Sequence, residues 1–158
     1  MKNIEISEYH SRQELEIHNL IKRVYDEFVS ADYSPAGNQF FYDWIEPSKI
    51  AERQQLKRAI FVALADSEII GMIEIRDNNT ISLLFVDKSF HGQGIARKLF
   101  HKALKNCLLN DPTLDKFYVH ASPFSIPVYK KLGFAETDTM QEQNGIKYLP
   151  MEKPLTIN

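Results

Sequence analysis

The sequence predicts an α/β (α+β) domain: a mixed, mostly antiparallel sheet of six to seven strands flanked by helices. Three observations predict it. Leu15, Ile17, Leu20, Ile21, Val24, Tyr25 and Phe28 recur at helical spacing. Three compact apolar runs of strand length then follow one another at 59–65, 69–76 and 80–86, separated only by short polar breaks. From Gly94 onward, helical and strand patterns alternate to the end of the chain.

Taken in order, residues 3–6 read as a short opening strand, and 11–29 as an amphipathic helix. Residues 32–37 (DYSPAG) are rich in turn formers and read as a loop. Phe40, Phe41, Trp44 and Ile45 suggest a second, short helix ending near Pro47, and the polar stretch 48–57 is able to continue as helix. The runs 59–65 and 69–76 form an antiparallel hairpin, Asp77-Asn78-Asn79 a turn, and 80–86 a third strand. Residues 94–109 are helical, 117–121 a strand, and 126–132 a short helix stopped by Gly133. Two closing strands, 134–138 and 146–151, flank the Asn144-Gly145 turn.

Composition narrows the function. The chain has 158 residues, 44% of them apolar and 25% charged, which suits a single domain over 1–158 with its own core. A net charge of −2 gives no basic excess for nucleic acid. Cys107 is the sole cysteine and falls on an apolar helix face, so it reads as core, with no internal disulfide. The polar N-terminal stretch is unlike a signal peptide, and no apolar run approaches the ~20 residues a membrane span requires. The expected setting is therefore cytoplasmic, with no membrane partner. His10, His18, His91 and His101 are too scattered to suggest a metal site.

The most informative stretch is 83–107. A buried strand ends near Val86, Gly92 and Gly94 follow, and a helix begins whose apolar face carries Ile95, Leu99, Phe100, Ala103, Leu104, Cys107 and Leu108. A helix N-terminus presents unpaired N–H groups and partial positive charge, and Arg97 and Lys98 add to it. Such a place suits a phosphate or pyrophosphate. A Walker loop is excluded because no Gly-Lys-Ser/Thr follows the second glycine. A dinucleotide fingerprint is excluded because Arg97 stands where its third glycine belongs.

What remains resembles the GNAT acetyltransferase superfamily. His91-Gly92-Gln93-Gly94-Ile95-Ala96 is similar to its Gln/Arg-x-x-Gly-x-Gly/Ala loop, departing at His91 alone. Tyr129-Lys130-Lys131-Leu132-Gly133-Phe134 resembles its Tyr-x-x-x-Gly-Phe ending, in the right order and on the right element. The resemblance spans essentially the whole chain. It is specific over 84–134 and vague before residue 59.

The resemblance implies a sheet whose fourth and fifth strands splay apart to admit acetyl-CoA, with no metal. The pantetheine arm would lie along Leu84, Phe85 and Val86. The pyrophosphate would meet the loop His91, Gly92, Gln93, Gly94, Ile95, Ala96 and Arg97, with His91 in place of Gln or Arg bearing on a side-chain contact. An N–H of the fourth strand would polarise the thioester carbonyl. The amine would attack directly, and Tyr129 stands at the position of the acid that protonates the departing thiolate. For the base, Glu74 and His120 are both candidates, beside a water chain with no single base. Glu74 reads also as a solvated position on an alternating strand, and His120 as a hydrogen-bonded structural imidazole.

The acceptor region implied by the fold contains Tyr25, Asp32, Tyr33, Phe40, Phe41, Tyr42, Asp43 and Trp44. Tyr25, Asp32 and Tyr33 are the substrate-binding candidates, since aromatics and carboxylates suit a cationic amine. The expected activity is transfer of acetyl from acetyl-CoA to a primary amine, on a small molecule or a protein. The alternative is an acyl-CoA-binding or sensing module without turnover. Acetylation of aminoacyl-tRNA would call for a basic surface, which a pI of about 6.2 does not supply. A homodimer is left open.

Overall fold

The computed structural model describes residues 3–155. Strand β1 (Ile4–Glu8) leads to helix α1 (Glu14–Phe28), then α2 (Pro35–Trp44) and α3 (Pro47–Arg53). Strands β2 (Arg58–Ala65), β3 (Glu68–Arg76) and β4 (Thr80–Val86) form an antiparallel meander. Helix α4 (Ile95–Asn110), β5 (Lys116–Ala121), α5 (Ile126–Lys131), β6 (Ala135–Glu136), β7 (Gln141–Gln143) and β8 (Ile146–Pro154) complete the chain. The sheet runs β1-β2-β3-β4-β5-β8-β6, and β7 pairs with β8 off this path.

The described residues form eight strands, one more than the about six to seven expected in the same mixed, mostly antiparallel sheet. The additional one is β7, whose sequence Gln-Glu-Gln has no apolar residue to signal a strand. Asn144 (φ 55°) and Gly145 (φ 77°) form the turn between β7 and β8, with both centres in the left-handed region that a tight hairpin requires. The same turn therefore does not join β6 to β8 directly, although β6 also pairs with β8. Helix α2 begins earlier than its aromatic residues suggest. Ser34 caps it by accepting from the Gly37 N–H at 3.0 Å, and Pro35 occupies the first turn, where no N–H is needed.

The sheet separates two apolar layers. On one face Ile17, Leu20, Ile21 and Val24 of α1 pack with Ile50 of α3 against Ile60, Val62, Met72 and Leu83. On the other, Ile95, Leu99, Phe100 and Ala103 of α4 and Tyr129 of α5 pack against Phe61, Ile73, Ile81, Phe117 and Val119. Alternation along each strand distributes its side chains between these layers. Gly71 lies beneath α4, where a Cβ would meet Ile95 and Leu99 at 3.2 Å.

One irregularity positions everything that follows. Glu74 opposes Leu83 while Ile75 opposes Ile81, so Ser82 is an extra residue in β4. The parallel pairing of β4 with β5 is confined to Thr80↔Tyr118 and Ile81↔Val119. Beyond Ile81 the bulged strand leaves its neighbour, and the sheet opens into a gap.

Candidate active site

The gap contains a cavity of about 310 Å³. Ser82 to Val86 of β4 line one side, and Val119 and His120 of β5 line the other. Parity shows which backbone groups face it. The Asp87 N–H donates to the Ile70 carbonyl of β3 at 2.7 Å, so Asp87 and Phe85 turn their main-chain groups toward β3. Leu84 and Val86 therefore turn theirs toward the gap.

At one end of the cavity the chain enters α4. Gly92 (φ 77°) and Gly94 (φ 78°) both hold left-handed backbone, with open space where a side chain would begin. Their requirement is thus conformational, and their open side leaves room for a ligand. Gly94 is the N-cap of α4 and offers no side chain, so the first-turn N–H groups have no side-chain cap. His91, Gly92, Gly94, Ile95 and Ala96 line the cavity. Gln93 and Arg97 do not. The Gln93 amide donates to the Ser89 carbonyl at 3.3 Å, and Arg97 donates to the Lys131 carbonyl at 3.4 Å.

His91 approaches the strand rather than the helix. Its Nε2 lies 2.7 Å from the Val86 carbonyl oxygen, and its ring packs 5.3 Å from that of Phe28. Phe28 stacks on Phe124 at 4.7 Å. The loop behind is tied to α1 by two exposed ion pairs, Arg23–Asp87 at 2.8 Å and Lys88–Glu27 at 2.6 Å. Asp87 titrates below the usual carboxylate range, because burial is outweighed by the Ser89 N–H and by Arg23.

At the other side stands Tyr129, only 4% exposed, on the wall formed by α5. Its ring meets Phe134 edge-on at 5.6 Å, and its hydroxyl has no hydrogen-bond partner among the described residues. Burial, reinforced by Tyr33, raises its pKa well above that of a free phenol. It stays protonated throughout the neutral range. His120 lines the cavity along one edge and is exposed along the other, stacking on Tyr148 at 4.5 Å. Burial of that inner edge, with Arg76 nearby, lowers its pKa from 6.5, so at pH 7 it is a neutral imidazole.

Glu74 is elsewhere. Its side chain points into the α3 layer, fully buried, and lies outside the cavity lining. It accepts from Arg58 at 2.9 Å and Gln54 at 3.1 Å, with the Arg53 Nε at 3.8 Å. It is neither solvated nor within reach of the gap. Its partners on α3 were not legible from the alternation of β3.

Of the acceptor candidates, Tyr25 and Tyr33 line the cavity, and Asp32 is exposed outside it. Tyr25 stacks on Phe41 at 4.0 Å and donates to Asn38 at 2.6 Å. Tyr33 meets Tyr25 edge-on at 5.8 Å, and burial next to Asp32 pushes its pKa up to about 12. The loop that carries Tyr33 is latched to the β7–β8 turn. The Ser34 N–H donates to the Gly145 carbonyl at 3.0 Å, and Gly37 sits so close to Gly145 that a Cβ would collide with it.

Sequence reasoning passed over Ser82, Phe90, Ser122, Phe124, Ser125 and Val128, which also line the cavity. The last four adjoin the Tyr129 block, and that adjacency was the signal available. Among the described residues no group of three His, Cys, Asp or Glu side chains is placed to hold a metal ion. Likewise, none of the described helices is long and apolar enough to cross a membrane.

Comparisons agree with this geometry. The chain superimposes on a GCN5-related N-acetyltransferase from Rhodopseudomonas palustris with a TM-score of 0.82 at 16% identity, covering 98% of each chain. The PaiA N-acetyltransferase of Thermoplasma acidophilum, solved with coenzyme A, matches with a TM-score of 0.78 at 21% identity, covering 97% of this chain and 99% of that one. The ribosomal-protein-S18-alanine N-acetyltransferase of Escherichia coli matches at 0.67 and 15% identity, covering 99% and 96%. No curated protein matches in sequence. The profile of the acetyltransferase (GNAT) domain matches residues 29–155. With a gapped sheet, a glycine entry to α4 and that match over most of its length, the chain belongs to the GNAT acetyltransferase family.

Proposed function

We propose that this protein transfers the acetyl group of acetyl-CoA to a primary amine by direct attack, in the cytoplasm. The observation that carries the reading is the gap between β4 and β5, lined by gap-facing backbone of Leu84 and Val86 on one side and by Tyr129 on the other. The PaiA neighbour was solved with coenzyme A, and the Escherichia coli neighbour is named for a protein alanine acceptor.

In this reading the pantetheine amides pair with Leu84 and Val86, as an added strand would. The pyrophosphate meets the N–H groups of the α4 entry, with His91, Gly92, Gln93 and Arg97 around it. A gap-facing N–H of β4 polarises the thioester carbonyl. His120 receives the proton that the amine must lose, and its neutral imidazole is already in the accepting form at pH 7. Tyr129 gives a proton to the departing thiolate. Glu74 takes no part in proton transfer, since its carboxylate is held by Arg58 and Gln54.

Calorimetric titration with acetyl-CoA, with ATP and NAD as controls, tests donor binding. Amine-dependent release of free thiol tests transfer. Micromolar binding of acetyl-CoA alone with amine-dependent release is the expected result. Binding without release from any amine would leave a CoA-holding module instead.

A further inference from the structure

The acceptor side of the cavity carries no formal charge. None of the residues lining the cavity is Asp, Glu, Lys or Arg. Neighbouring carboxylates are engaged elsewhere. Asp26 accepts from Lys22 and Tyr42, Glu27 from Lys88, and Asp87 from Arg23 and the Ser89 N–H. Glu74 is locked beneath the sheet by Arg58 and Gln54. Asp32 is exposed beside Tyr33 and outside the lining. It offers no counter-charge within the lining.

What the wall does offer is aromatic surface. Tyr25 and Phe41 lie nearly parallel, 8° apart, Phe85 is 6.1 Å from Phe41, and Tyr33 closes the side. Val24 and Val29 complete the wall from α1 and its end. Such a surface gains from an apolar body placed against it. A second ammonium group brought to the same place loses its water and meets no counter-charge.

We propose that the acceptor is a small monoamine with an aromatic body, of the arylalkylamine class, and that amines with several positive charges are poor substrates. The inference rests on the acetyl-transfer reading and refines it. The nitrogen of the neutral amine attacks the thioester carbonyl carbon. A C–N bond forms and the C–S bond breaks. The proton lost by nitrogen balances the one gained by the CoA sulfur, leaving an amide and free CoA.

The experiment uses the full-length protein. Acetyl-CoA affinity is measured first, by calorimetry. Thiol release is then followed with phenethylamine, tyramine, spermidine and kanamycin. Phenethylamine and tyramine should exceed spermidine and kanamycin in kcat/KM by about ten- to a hundredfold, the cost of an unpartnered buried polar group. Tyr33→Asp, which places a carboxylate inside the entrance, should narrow that ratio about tenfold, one ion pair's worth. Spermidine or kanamycin equal to or better than phenethylamine would overturn the inference and leave acetyl transfer standing. Bound acetyl-CoA with no release from any of the four would also overturn it. Failure to bind acetyl-CoA would remove the transfer reading itself, and the inference with it.

Discussion

The Nε2 of His91 lies 2.7 Å from the carbonyl oxygen of Val86, so the loop proposed to meet the pyrophosphate is fastened to the strand proposed to pair with the pantetheine arm. A side chain of different shape at position 91 would leave that carbonyl open. One imidazole, with Phe28 packed against it, thus ties the α4 entry to the end of β4.

His91→Ala should therefore weaken acetyl-CoA binding about fivefold, the value of one such hydrogen bond, with kcat largely kept. Calorimetric affinities of the two proteins check it. Equal affinities would mean that the loop backbone orders itself.

Tyr129→Phe removes one oxygen from a wall that is otherwise apolar. Acetyl-CoA affinity should stay within about twofold, and turnover should fall about a hundredfold. Because burial raises the phenol's pKa, the parent enzyme should show no alkaline loss of activity below pH ~10, where an ordinary tyrosine titrates. A falling limb near pH 8 or 9 would assign the acid to another group.

His120 gives a pH dependence of opposite sense. Its folded pKa lies below the 6.5 of a free imidazole, so the unfolded chain binds the proton more readily. Its contribution to stability is complete above pH 6.5 and declines as the pH falls below that value. His120→Asn should flatten this part of the stability curve and lower the rate. Chemical unfolding at pH 5.5 and 7.5 measures the difference. A slope unchanged in the variant would show that another group titrates there.

Glu74→Ala leaves Arg53 and Arg58 without their carboxylate. Arg53 is 6% exposed, and its Nε and Nη2 have no hydrogen-bond partner even now. The variant should lose about 3 kcal/mol of stability, the usual consequence of breaking a buried pair. Arg58 also donates to Ser82 at 3.1 Å, at the bulge, so the loss reaches the residue where β4 turns aside. Urea midpoints check the stability. An intact fold with a lost acidic limb in Glu74→Gln would return the carboxylate to candidacy as the base.

Gly145→Ala tests the latch over the acceptor side. The new Cβ would strike Ser34, on a backbone already at φ 77°. The acceptor KM should rise about tenfold with acetyl-CoA affinity unchanged, since the loop carrying Tyr33 loses its anchor. A matching loss of donor affinity would mean that the hairpin supports both substrates.

The three central strands and the long α4 were legible because period-2 and period-3.6 patterns are local and strong there. The glycine entry and the Tyr129 block were legible through their resemblance to GNAT motifs. Local sequence was a poorer guide to partners far along the chain. Glu74 looks like one polar residue on an alternating strand, and only the fold brings Arg53 of α3 and the following Gln54 above it. Asp32 and Tyr33 are adjacent in sequence, yet one faces solvent and the other the cavity. The Ser34 cap and the Gly145 contact that fix the chain just beyond them join residues far apart in sequence. Strand β7 left no apolar trace because it is a polar edge of a hairpin.

The brevity of the β4–β5 pairing has a mechanical consequence. Two register pairs are all the ladder that joins the meander β1–β4 to the group β5, β8 and β6. The sheet narrows to a seam there, bridged beneath by the core under α4, and the seam runs where the donor is proposed to lie. A ligand bridging that seam acts as a clasp. The melting temperature should climb with acetyl-CoA concentration as mass action requires, and the amides of Leu84 and Val86 should exchange with solvent deuterium more slowly once the clasp is closed.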